Sequence, residues 1–183
     1  MRFVLPSLLA TFVLASALPA QGQVPDATHQ TYLREVQQAV ERLVAGQTQG
    51  AETTLRNAIE RLPDAPAAHC VQAELLELQG QPDNAITTYT RCATLARQAS
   101  DAKWEASGLI GVMRNLLTLE GRIEDAREAA MAVMRFAEAH PTVVTPQLAR
   151  ERLQAIDLLI ERDAAAASVR ARREARAREN AED

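Results

Sequence analysis

The chain has 183 residues, 47% of them hydrophobic but only 3% aromatic, and a formal charge of −4 at pH 7. It is rich in Ala, Leu, Arg, Glu and Gln, all strong helix formers, and its length suits one small domain with appendages. So mild a charge excludes the basic footprint of a nucleic-acid-binding protein, and the one β-like pair beyond the first residues, Val143-Val144, sits between prolines, so a sheet is excluded as well.

In chain order, residues 1–20 read as an export signal. Arg2 supplies the positive start, and Phe3 to Leu14 is apolar apart from Pro6, Ser7 and Thr11. Ala15-Ser16-Ala17 and Ala20 offer small residues for cleavage, with cutting after Ala20 or Gly22 preferred and Ala17 as an alternative. The run is shorter than the ~20 apolar residues of a membrane span, which speaks against an uncleaved anchor. No cysteine follows the cleavage region, so a lipid anchor is not expected. Losing Arg2 from 20 basic residues against 24 acidic ones leaves a mature charge of −5. No later segment reads as a span. A periplasmic or secreted protein is expected.

Residues 21–29 form a polar linker, and the first helix starts near Asp26 or Thr28, either of which can cap it. Tyr32, Val36, Ala39, Val40 and Leu43 fall at helical spacing. The second helix runs from about Gln49 to Leu62 with Ala51, Leu55, Ala58 and Ile59 on one face, closed by Pro63 and Pro66. The third covers about Ala67 to Gln79 and is apolar over much of its circumference, through Cys70, Val71, Ala73, Leu75, Leu76 and Leu78. The fourth begins at Pro82 and packs through Ala85, Ile86, Tyr89, Cys92, Ala93 and Leu95. The fifth runs from Ser100-Asp101 to Glu120 with Trp104, Leu109, Ile110, Met113, Leu116 and Leu117. The sixth runs from about Ile123 to Ala139 with Ala126, Ala130, Val133, Met134 and Phe136. Thr145-Pro146 opens a seventh helix with Leu148, Leu153, Ile156, Leu159 and Ile160. Its stretch 145–163 caps the sixth helix near Val133 and Phe136. Residues 164–183 are an Ala- and Arg/Glu-rich tail, helical or disordered.

No catalytic constellation stands out. His29, His69 and His140 lack the i, i+4 spacing of a metal pair, and there is no CxxC, P-loop or dinucleotide fingerprint. Gly108-Leu-Ile-Gly111 fits close helix packing, and Trp104 a packed place in the third hairpin. Arg172-Arg173, interrupted by Glu174 and Glu179, fits a solvated tail. No enzyme activity, cofactor, metal or nucleic-acid partner is expected. Cys70 and Cys92 lie at similar distances either side of Gly80, hence at similar height on antiparallel helices. Two small buried thiols are the plainer expectation, with a disulfide as the alternative.

Three segments punctuate the chain: Gly46-Gln-Thr-Gln-Gly-Ala51, Gly80-Gln-Pro-Asp-Asn-Ala85 34 residues on, and Gly121-Arg-Ile-Glu-Asp-Ala126 41 residues after that. Each is a helix stop, a short turn and a helix start, with glycine where φ > 0 is needed. A helix-turn-helix period of 34 residues marks a tetratricopeptide array. Residues 30–141 resemble that family, in units of about 30–64, 65–99 and 100–141. Ala51, Leu55, Ala58 and Pro63 carry the resemblance in the first unit, Ala73, Ala85, Tyr89 and Cys92 in the second, and Gly121, Ala126, Ala130 and Val133 in the third. The first helix fits with its register slipped one residue, and Arg114 stands where the family packs a small residue.

The resemblance implies an all-α, right-handed superhelix of about three hairpins with a long C-terminal capping helix, its concave face lined by the first helix of each pair. The groove positions then fall on Arg34, Gln37 and Glu41, on Cys70, Glu74 and Glu77, and on Gly111, Asn115 and Thr118. Such a surface binds a protein or peptide, and its excess of Glu over Arg points to a neutral or basic segment. The expected function is an exported adaptor or scaffold in the cell envelope, with self-association through the C-terminal helix as the alternative.

Overall fold

The structure is a computed structural model that describes residues 26–182. The leader 1–20 and its cleavage positions lie outside the described residues. Seven helices follow one another: α1 (Ala27–Val44), α2 (Thr48–Arg61), α3 (Pro66–Leu78), α4 (Pro82–Gln98), α5 (Ala102–Leu116), α6 (Ile123–Ala139) and α7 (Pro146–Glu182). There is no strand among the described residues, so the architecture is all-α.

Local chemistry sets the boundaries. The Asp26 carboxylate accepts the His29 N–H at 2.7 Å and starts α1, and Asp101 caps α5 through the N–H groups of Lys103 and Trp104. Pro66, Pro82 and Pro146 open α3, α4 and α7, where a missing N–H costs nothing. Gly46 and Gly80 sit at φ 72° and 70°. That left-handed step lets the next N–H reach back, from Gln47 to the Arg42 carbonyl at 2.8 Å and from Gln81 to Leu76 at 3.0 Å, which satisfies carbonyls the helix end would orphan. Ser100 does the same after α4 at φ 55°. The end of α5 differs from the expected Glu120. The helix stops at Leu116 because the N–H of Thr118 and of Leu119 turn to carbonyls three residues back, and the Thr118 hydroxyl also donates to the Asn115 carbonyl at 2.7 Å.

The helices pair as α1/α2, α3/α4 and α5/α6, and α7 lies on α6. In addition α1 touches α3 and α3 touches α5, whereas no two of α2, α4 and α6 bring Cα atoms within 8 Å. The odd-numbered helices therefore form the closer, inner row. Alanine makes the close approach affordable: Ala39, Ala51, Ala58, Ala68, Ala73 and Ala85 have no exposed surface. The tightest crossing joins α4 to α5. A Cβ on Gly108 would fall 2.7 Å from the Ala93 Cβ and 2.8 Å from the Tyr89 carbonyl oxygen.

Two large apolar clusters, with a smaller one of Ala73, Ala85 and Tyr89, hold the array. One gathers Tyr32, Val36, Leu55, Val71 and Leu75. The Tyr32 hydroxyl, buried among them, accepts the Ala68 N–H at 2.9 Å and donates to the Ala65 carbonyl at 3.3 Å, tying α1 to the turn before α3. The other gathers Met113, Val133, Phe136, Ala149 and Ile156, with Leu153 and Ile160 packed against it, and so seats α7 on α6. Arg127 and Asp157 close that seat with a 2.6 Å ion pair. Val40, Leu78 and Leu117, expected to pack, are exposed instead. Val36 and Ala39 already fill the face of α1 turned to α2, Leu78 is the last residue of α3, and Leu117 lies past the end of α5. From Glu161 to Arg178 every side chain of α7 is exposed, and the helix runs on unbroken through the tail.

Cys70 and Cys92 are joined by a disulfide between α3 and α4, with Cα atoms 5.3 Å apart. This corrects the expectation of two free thiols. The two positions share not only height but facing, at a separation typical of disulfides. Both residues are wholly buried, with the Trp104 carbonyl oxygen 3.7 and 3.5 Å from the two sulfurs.

Closing a loop of this size removes about 3 kcal/mol of unfolded-state entropy. The Cys70→Ala, Cys92→Ala double variant is therefore expected to melt well below the unreduced protein while keeping its helical circular dichroism. Thiol titration of the unreduced, denatured protein should find no free sulfhydryl. A full complement of two would show that the bridge does not form.

Candidate functional site

The nine expected groove positions separate into two groups. Arg34, Gln37 and Glu41 lie exposed on one face of α1, with Gln37 donating to Glu41 at 3.0 Å. Glu74 is exposed on α3, and Glu77, half-buried, is one turn along. Thr118 is exposed, its hydroxyl spent on the end of α5. Cys70, Gly111 and Asn115 do not reach the surface, which corrects their assignment to a groove. Cys70 is consumed by the disulfide. Gly111 lies under the Tyr89 ring, where an added Cβ would fall 2.5 Å from a ring carbon. Asn115, 1% exposed, turns back to donate to the Gly111 carbonyl at 2.9 Å. For the two on α5 one pattern holds: the face that was assigned to a ligand is turned to α4, where Tyr89 packs on Gly111.

Arg114, which sequence reasoning placed among buried small residues, forms the centre of the inner face. It leaves α5, crosses to α3 and grips Glu77 with two hydrogen bonds, Nε to Oε1 at 2.7 Å and Nη2 to Oε2. Its Nη2 also donates to the Tyr89 hydroxyl at 3.0 Å, and the guanidinium carbon sits 5.9 Å from the Tyr89 ring centre, close enough for cation–π attraction. Tyr89 in turn donates to Glu77 at 3.2 Å. Three helices are thus locked by one polar knot.

The knot sets the charges. Burial pushes the Glu77 carboxyl up, but the bonds and charge of Arg114, with Asn115 and Tyr89 donating as well, outweigh it and hold the group below its ordinary value. Burial pushes the Glu74 carboxyl up, and Glu77 adds repulsion against the pull of Arg114. Glu74 nevertheless stays open to water. Burial also raises the Tyr89 phenol far above its usual range, so it stays a neutral donor.

Beside Arg114 the inner row opens. No Cα of α7 comes within 8 Å of one in α5, although α1–α3 and α3–α5 do touch. The gap is a cleft of about 470 Å³ between α5 and the first half of α7, lined by Ile110, Met113, Leu117, Leu148 and Leu159 among others, with Val144 and Ile156 at its floor and Arg114 and Arg152 at its edge. Its walls are mostly apolar, and its size falls in the range of about 300–1,000 Å³ usual for ligand pockets. Sequence reasoning missed this cleft. The one signal it left was Arg114, a large cation at a position the repeat pattern reserves for a small side chain. Among the described residues no group of three or more His, Cys, Asp or Glu is arranged to hold a metal ion. Compared with profiles of known protein families and with curated proteins, the chain matches none.

Glu77 titrates below its ordinary value of 4.5, so its stabilising effect is complete above that value and disappears as pH falls through the folded one. Glu74 is raised, so its ionised form opposes folding. Urea melts at about pH 7 should show Glu77→Gln less stable by about 1 kcal/mol, a modest figure because Arg114 is half exposed, and Glu74→Gln no less stable than the parent. As pH falls below 4.5 and on through the depressed folded value, the Glu77→Gln deficit should shrink steadily. A deficit that does not change with pH across the acid range would rule out the ion pair as its cause.

Proposed function

We propose that the chain is an exported, tetratricopeptide-like adaptor that holds an extended segment of another protein along its inner row of helices, without catalysis of its own. The observation that carries this reading is the inner row itself: α1, α3 and α5 in contact side by side, with an open apolar cleft where the row should continue to α7. Helix hairpins that bury one flank on each neighbour leave such a row solvent-facing, and stacked repeats use it to bind. The three glycine turns and the alanine packing fit repeated units of this kind. The leader-like first 20 residues support export, as does the disulfide, which persists in oxidising compartments. The exposed polar residues of the row, Arg34, Gln37, Glu41 and Glu74, are placed to meet a peptide backbone.

The test is crosslinked capture from the envelope fraction with the parent and with a Gln37→Arg, Glu74→Arg variant. Both positions are exposed, and such changes usually shift stability by under ~0.5 kcal/mol. Circular dichroism should stay the same and capture should be lost. Equal capture by the variant would place binding elsewhere.

A second reading, self-association through α7, is favoured by the run of exposed side chains from Glu161 to Arg178 and by exposed Leu158 and Val169. Light scattering with and without residues 164–183 separates the two, because that truncation leaves Ile156 and its seat on α6 in place. A mass that does not change on truncation removes the second reading.

A further inference from the structure

We infer that the α5–α7 cleft takes an acidic–aliphatic segment of a partner protein, with large aliphatic side chains in the cleft and a flanking carboxylate on Arg152. The inference rests on the adaptor reading above and specifies the chemistry of what that surface holds.

Three observations carry it. The cleft presents exposed apolar surface: Leu117 is 41% and Leu148 50% exposed at its mouth, above the buried Val144 and Ile156. Water against those side chains is released when an aliphatic group enters. Next, the ionisable residues that line the cleft are Arg114 and Arg152, with no Asp or Glu among them. Because Glu77 already answers Arg114, the uncompensated charge lining the cleft is that of Arg152, positive in a chain of net charge −4. Finally, the two cations differ in what they already hold. Arg114 is bound to Glu77, whereas Arg152 makes no hydrogen bond or ion pair among the described residues. Arg152 therefore has its full donor capacity for a carboxylate, the geometry to which guanidinium is suited.

Charge also chooses the occupant. A basic segment meets the unpaired Arg152 and is repelled. The distal half of α7 from a second copy is disfavoured for this reason: over residues 164–182 it carries five arginines to three glutamates. An acidic segment is repelled by Glu41 and Glu74 further along the row and is attracted only as it nears the cleft, so the field both excludes and steers it. The notion of a neutral or basic partner drawn from the Glu excess counted Glu77, whose charge Arg114 already answers.

Fluorescence anisotropy on the full, unreduced protein tests this with dye-labelled synthetic peptides: one of leucine and glutamate, one with lysine in place of glutamate, and one of serine and glutamate. The leucine–glutamate peptide should bind, more weakly as salt rises, and the other two should not. Arg152→Glu should weaken binding by about tenfold or more and Arg152→Lys far less. Leu148→Asp should abolish it. Both positions are exposed, and unchanged circular dichroism confirms that each variant folds. The inference is overturned if the lysine peptide binds as tightly, if Arg152→Glu binds like the parent, or if no peptide binds below about 1 mM. It is also overturned if lauric acid binds the cleft and the peptide does not, which would make the site a small-molecule pocket. Partner capture that depends on Gln37 and Glu74 while no peptide enters the cleft would sink this inference and leave the adaptor standing. Peptide binding with no protein held on the inner row would do the reverse.

Discussion

The contact on which the rest of the structure depends is the crossing of α4 and α5. Gly108 lies against Ala93 and the Tyr89 carbonyl, and Gly111 lies under the Tyr89 ring. With no Cβ at either position, the second and third hairpins approach until the tyrosine is enclosed. That enclosure fixes the angle at which α5 presents its other faces. One face carries Arg114 to Glu77 and closes the row from α3 to α5. The next faces α6, and through it α7. A bulkier residue at either glycine would move every element on the C-terminal side of the crossing. The polar knot would loosen first, since two of its members sit on the helices that cross.

The knot shows how a solvent-facing surface and a packing interface share residues. Tyr89 is a core residue by burial and a polar one by its hydroxyl, and it orients Arg114 by offering an oxygen on one side and a ring face on the other. Arg114 then divides the inner face into two regions of opposite character. Towards α1 lie carboxylates and amides, and towards α7 lie aliphatic side chains edged by guanidinium. A segment lying across both must change in composition along its length.

Much of the fold was legible from spacing alone. The turns at Gly46 and Gly80 and the proline starts of α3, α4 and α7 are local effects, decided by φ and by missing N–H groups within a few residues. The inner-face residues were less legible because facing depends on crossing angle, which sequence spacing does not contain. Asn115 and Gly111 lie on the same stripe of α5, and whether that stripe looks to solvent or to α4 is decided by how closely Gly108 lets the two helices come. The disulfide posed the same difficulty: height along a helix follows from residue count, and rotation about its axis follows from packing. The cleft was illegible because α7 stands off from α5 through a connection, His140 to Thr145, that carries no glycine turn and tucks Val144 beneath the gap.

The bridge from Cys70 to Cys92 has a mechanical meaning. It spans a turn in the middle of the chain and joins residues at a sequence separation of 22. A linear stack of hairpins pulled from its ends comes apart one unit at a time, since each unit touches only its neighbours. Here the middle unit has a covalent shunt, and force passes from α3 to α4 through sulfur rather than through the turn at Gly80. The enclosed residues never bear load, which withholds about 75 Å of contour length from a fully stretched chain. Under tension the chain would thus yield from its ends inward and keep its central hairpin as a stop.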